Sequence, residues 1–379
     1  MKYPSVALAL ILLLGGVTAV AQQPDVQQFL DQVGLKPTDD QRGQMDIVGF
    51  ASTAQQMDQV VKLCEANAKP REDSLLSEFP WMENVSFRAG ICPHDDYCYA
   101  GRLYPLLLKR IHAKHVILFG VFHKAKPFGS HDVLVFDSFK SWHGPQGPVA
   151  VSPLRDEIIQ RLPEKDVVVS NDMQQVEHSV EAIVPWLQAY NPAVEIVSIL
   201  VPYLDWKTMQ KLSGDLSSAL AVILEQHGWE LGKDVAIVCS SDAIHYGDSG
   251  WGGSNYADFG TNIEGYRQAV QRDVNLATND LGGKVNAKGL RTFFETCVNP
   301  KDVYEYKVTW CGRFSIPFGM SVAMDLAKEL GEPPLEGTLL DYGTSVSEAT
   351  LPLEELHGMG RTAPNNLHHW VGYAAVGYR

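Results

Sequence analysis

No stretch beyond the first twenty or so residues is both apolar enough and long enough to cross a bilayer as a helix, which takes about 20 residues, and the apolar run within those first residues falls short of that length. Basic residues are scarce: 31 Lys and Arg stand against 45 Asp and Glu, a formal charge of −14. Nucleic acid is therefore not an expected partner, because binding it rests on basic patches that neutralise phosphates. The acidity reads as solubility. There is no internal repeat and no low-complexity tract, which excludes a repeat architecture, and with 45% apolar and 20% charged residues in 379 the chain is not expected to be disordered. Also missing is any compact His-x-x-x-His pair, so a metal site would have to be assembled from distant parts of the chain.

What is present begins with a leader. Met1-Lys2, an apolar run over residues 6–14 and Ala19-Val20-Ala21 form a positive start, a short hydrophobic core and a small-residue cleavage site. Cleavage is predicted before Gln22, giving an exported protein, periplasmic or secreted, with no stable membrane span after the leader (residues 1–21) is removed. Lys2 is the only charge lost with it. Six cysteines in an exported chain suggest disulfides. If Cys311 is kept for a metal, Cys64, Cys92, Cys98 and Cys297 are left to form up to two bridges, and Cys239, closing an apolar strand, reads as an inert buried thiol.

Residues 22–80 read as an N-terminal helical extension, with apolar residues at helical spacing over 24–34 and 54–66 and a turn-rich link over 36–43. Residues 81–379 read as one α/β domain with a mostly parallel sheet flanked by helices. Its clearest unit is a strand at 194–201, an amphipathic helix at 206–227 and a strand at 234–239, the pattern of a crossover between parallel strands. Strands are also expected at 85–92, 115–120, 337–342 and 370–377. The spacing predicts one helix over 97–112 and another over 179–190 broken by Pro185, and a hairpin excursion beside the site over 124–153.

Three of these strands are followed at once by histidines: His94, His123 and His245. Open α/β sheets build their sites at the carboxyl ends of strands. His94, His123 and Cys311 are the predicted ligands of one transition metal ion, since imidazole and thiolate suit zinc, copper or iron and not the oxygen-seeking calcium or magnesium. Three protein ligands leave coordination positions open. Cys311, before the helix at 315–330 and beside Arg313, is expected to favour its thiolate. Asp242, three residues before His245, can orient that imidazole as a general acid/base. His178, in Glu177-His178-Ser179, is assigned as a hydrogen-bond donor in the pocket. The remaining histidines, His368 and His369 among them, read as structural or solvent-facing.

Pro93-His94 with Tyr97 and Gly101, Gly120 with His123, Glu177-His178-Ser179, Ser240-Ser241-Asp242 with His245 and Gly247, and Cys311-Gly312-Arg313 occur in this order, and as a set they resemble the Memo-like family, which includes AmmeMemoRadiSam system protein B. The resemblance covers about residues 85–377 and is carried by five motifs in series. It implies a fold similar to class III extradiol dioxygenases, with the metal on His94, His123 and Cys311 and with Asp242 and His245 in the same pocket. This chain departs from the family's usual pattern in having Asp95-Asp96 in place of Ala-Gly, Val121-Phe122 in place of Pro-Ser, and Phe314-Ser315 after Cys-Gly-Arg. The function implied is non-haem iron or copper redox chemistry of dioxygenase type on a small-molecule substrate, with iron or copper ahead of zinc. Alternatives are a non-enzymatic module that binds metal or a peptide, and a zinc-dependent hydrolase. No feature of the sequence fixes the oligomeric state.

Overall fold

Side chains alternate between the two faces of a strand, so a central strand buried on both faces feeds two separate cores. In the computed structural model Ile117 and Phe119 belong to one core, and Val116 and Leu118 of the same strand to the other. Ile237 and Ala236 divide in the same way. The structure describes residues 24–379 except 32–33, 250–254, 348 and 354–358. The expected leader thus lies outside the described residues.

Six strands make the centre of the main sheet: β1 (Ala89–Cys92), β2 (His115–Val121), β3 (Glu195–Val201), β4 (Val235–Ser240), β5 (Glu336–Thr344) and β6 (His369–Tyr378). Their order is β3-β2-β4-β1-β6-β5. The first four are parallel, and at one side β6 pairs antiparallel with both β1 and β5. Helices Trp206–His227, Ala287–Cys297 and Ser315–Glu329 cover one face, and Ala54–Glu78, Leu103–Leu108 and Val184–Tyr190 the other. The mixed α/β fold with a mostly parallel sheet is as the sequence predicts. Among the described residues, no helix is long and apolar enough to cross a membrane.

Helix Trp206–His227 shows why that unit was easy to read. Asp205 accepts from the Thr208 amide at 2.7 Å as its N-cap, Gly228 closes it in the left-handed conformation, and Met209, Leu212, Leu216 and Leu220 recur along its buried face.

Several expectations are corrected. Helix 97–112 is two short helices, Tyr97–Ala100 and Leu103–Leu108. Pro185 does not break a helix but sits in the first turn of Val184–Tyr190, where a missing N–H costs nothing. Residues 124–153 do contain a hairpin, Ser141–Trp142 antiparallel to Val149–Val151, but it is part of the sheet and not an excursion beside the site: Leu134–Phe136 and Val149–Val151 pair with β3, the latter at its amino end. All six cysteines are free and buried, so neither of the expected bridges forms.

Candidate metal centre

Parallel register brings the strand ends to one rim. Cys92 is paired with Ser240, so the segments that follow run side by side, and the His94 amide donates to Asp242 Oδ1 at 2.9 Å. The ring of His94 is then fixed by its tautomer. Ser240 Oγ spends its single proton on the Ser179 carbonyl and lies 2.8 Å from His94 Nδ1, so it can only accept there. Nδ1 carries the hydrogen and Nε2 presents a lone pair. That Nε2 is buried, has no hydrogen-bond partner, and stands 3.3 Å from Asp242 Oδ2. Burial lowers the His94 imidazole to about 3, so this nitrogen is without a proton, and the Asp242 carboxyl that faces it lies below its usual range. Two acceptors facing each other in a dry site repel unless a cation lies between them.

His123 is held in a similar way. Glu177 accepts from the His123 amide at 2.6 Å, from His123 Nδ1 at 2.8 Å, and from the amides of His178 and Ser179 at 3.0 and 2.9 Å. Burial resists the charge on Glu177, yet His123 and these donors hold its carboxyl well below the usual range. With Nδ1 donating, the other nitrogen of His123 is the one left to bind. The His178 ring stacks on His123 with centroids 4.7 Å apart, and His94 meets both rings edge-on.

Cys311 reaches the same place from the far end of the chain. The Gly312 amide donates to Ser241 Oγ at 2.8 Å, the His245 amide to the Thr309 carbonyl at 3.1 Å, and Ile244 bridges Trp310. Glycine is required after the cysteine, because a Cβ at Gly312 would come within 2.4 Å of Ser241. Cys311 Sγ lies 3.0 Å from His245 Nε2, which is 3.8 Å from Asp242 Oδ2. Candidate ligand atoms thus form two sets that share His94: His94, His123 and His178, and His94, Asp242 and Cys311, each with its atoms within 4.8 Å of one another. Both sets open on a cavity of about 310 Å³ whose wall also contains Asp46, Asp95, Asp96 and His245 and, among the described residues, no Lys or Arg.

The model of the Memo-like protein family matches residues 49–352, most of the chain and all five candidate ligand residues. The chain belongs to the Memo-like family. Its curated relatives include a MEMO1 family protein of Pyrobaculum arsenaticum, 28% identical over 260 residues, which are 68% of this chain and 76% of that protein. One from Pyrococcus furiosus is 25% identical over 275 residues, 69% and 82% of the two chains. One from Aquifex aeolicus is 28% identical over 176 residues, and the match spans 59% of its length.

Every side chain singled out in the sequence, His94, His123, His178, Asp242, His245 and Cys311, lines this one Memo-like cavity. Two expectations change. His369 is in the cavity wall and is not merely structural. Burial, together with Asp242, Asp95 and Glu177, pushes the Cys311 thiol well above its ordinary range, and Arg313 does not offset them. Sequence reasoning missed the groups that aim the ligands. Ser240 and Glu177 act through hydrogen bonds that depend on strand register, which no local motif displays. Asp95, which the sequence shows as a departure from the family pattern, is half-buried in the wall and accepts from the Asp96 amide at 2.7 Å and the Tyr373 hydroxyl at 2.6 Å. The donor chemistry fits a borderline or soft metal: imidazole nitrogens whose opposite ring hydrogens are directed away to Ser240 and Glu177, and a thiol sulfur.

Proposed function

We propose that this Memo-like chain is a metalloprotein that holds one transition metal ion, iron or copper ahead of zinc, on His94, His123 and Cys311, and acts as an oxidoreductase of dioxygenase type on a small-molecule substrate. The reading is carried by the buried Nε2 of His94, a lone pair without a partner set 3.3 Å from a carboxylate oxygen. Such an ion would supply Lewis acidity and a redox couple, with protein ligands that leave positions open. The residues do the rest. Ser240 and Glu177 keep His94 and His123 in the ligating tautomer. His245, through the nitrogen beside Asp242 and Cys311, holds or moves a proton, and Asp242 orients its ring. His178, at the cavity wall, offers a hydrogen bond to a substrate oxygen. The leader-like start supports export to the periplasm or beyond, tested by finding Gln22 as the mature amino terminus.

A second reading takes all its ligands from the three-histidine set and leaves Cys311 outside. Metal analysis of Cys311→Ala and His178→Ala proteins separates the two. The first reading expects Cys311→Ala to lose metal affinity by at least about tenfold, with the sulfur-to-metal absorption band, while His178→Ala keeps both. The reverse pattern favours three histidines. Zinc recovered from protein purified without added metal would turn the reading to a hydrolase, and bound metal with no oxygen consumption to a binding module.

A further inference from the structure

Behind the metal centre lies a second chamber of about 170 Å³, and its chemistry is the opposite of the first. His123, Tyr306 and Cys311 are common to both walls, so the chambers meet at the centre itself. The first wall is rich in carboxylates and, among the described residues, has no Lys or Arg. The second has Arg313 and, among the described residues, no carboxylate, and is otherwise largely apolar and aromatic.

Arg313 is in an unusual state for an arginine. It is 2% exposed, makes no ion pair among the described residues, and leaves Nη1 buried without a hydrogen-bond partner. Nη2 donates to the Tyr304 carbonyl at 3.2 Å, and the guanidinium lies 3.6 Å from the centroid of the Tyr306 ring. Stacking on aromatic rings offsets part of the cost of burying a cation, but it provides no negative charge. A planar fork of donors in an apolar chamber is matched by an oxyanion, above all a carboxylate.

We propose that this chamber is a subsite for a small organic acid, with Arg313 pairing its carboxylate and Tyr203, Tyr306 and Phe314 packing its apolar body next to the metal centre. The chamber has the volume of roughly five or six waters at about 30 Å³ each, enough for a compact acid and too little for a peptide. The proposal rests on the metal-site reading for what the acid would be presented to, but its own binding step needs only Arg313 and the rings.

The test uses the full chain, with benzoate as probe and benzamide as its neutral counterpart, in calorimetric titrations of wild type, Arg313→Met and Arg313→Lys. The expected result is that wild type binds benzoate at least about tenfold more tightly than benzamide, that Arg313→Met removes this preference, and that Arg313→Lys keeps part of it. Equal binding of the two probes, no binding of benzoate at millimolar concentration, or a preference unchanged in Arg313→Met would overturn the proposal. If Arg313→Met does not fold, the benzoate-to-benzamide ratio of wild type decides. Metal content is measured on the same samples. Protein that discriminates the probes without holding metal sinks the metal reading alone, and metal-loaded protein that does not discriminate sinks this one alone.

Discussion

A single hydroxyl proton decides the chemistry of His94. Ser240 donates to the Ser179 carbonyl and accepts from the ring, so the nitrogen facing the cavity is the one with the lone pair. Ser240→Ala removes that constraint without touching a proposed ligand. Metal affinity should fall by about 10- to 100-fold, read by competition with a chelator, with little change in the melting temperature of metal-free protein. His94 and Cys311 were legible as residue types placed after strands. The tautomer was not, because it depends on Ser240 standing opposite Cys92, a relation between strands nearly 150 positions apart in sequence.

Arg42 shows how an element with no motif of its own can position a site. It lies on the strand Gln41–Arg42, in a segment that reads as a polar link and precedes the stretch matched by the family. Arg42 is nonetheless fully buried over Trp142. It donates through Nε to the Gln174 carbonyl at 2.9 Å, and through its other nitrogens to the Glu177 carbonyl and the Glu181 carboxylate. Glu181 in turn accepts from the amides of Met45 and Asp46 at 2.6 and 2.9 Å. The loop bearing Glu177 and His178 is thus clamped from the amino-terminal side. Arg42→Met leaves Glu181 buried without its partner and should cost about 3–5 kcal/mol in denaturant unfolding. Faster amide exchange across residues 174–181 should accompany it. Helix Trp206–His227 lies at the other extreme, since its cap, its stop and its apolar stripe are all written locally. Residues 124–153 carry equally clear turn signals, but which strand they join is set by the rest of the sheet.

At the scale of the whole molecule, Asp273 ties distant parts together. It accepts from the Ile244 amide at 3.0 Å, Trp310 Nε1 at 2.9 Å and the Tyr342 hydroxyl at 2.9 Å, behind the loops that carry His245 and Cys311. Burial outweighs these donors and raises its carboxyl to about 6. The folded chain therefore keeps a proton on Asp273 where the unfolded chain, titrating near its ordinary value of about 4, has lost it. This stabilisation is complete below about pH 4 and disappears as pH rises through 6. Relative to Asp273→Asn, wild type should lose up to about 3 kcal/mol between pH 4 and pH 7, measured by chemical denaturation across that range. Nothing in the sequence around Asp273 marks it, because each of its partners comes from a different part of the chain.

Strand β1 has one further consequence. Ile91 must find Val376 as well as Cys239, so one flank of β1 stays open until nearly three hundred more residues have been made. At about 5–20 residues per second, translation leaves that flank bare for tens of seconds. On the ribosome β6 is not yet available to pair with β1, so this side of the sheet closes only once synthesis is complete.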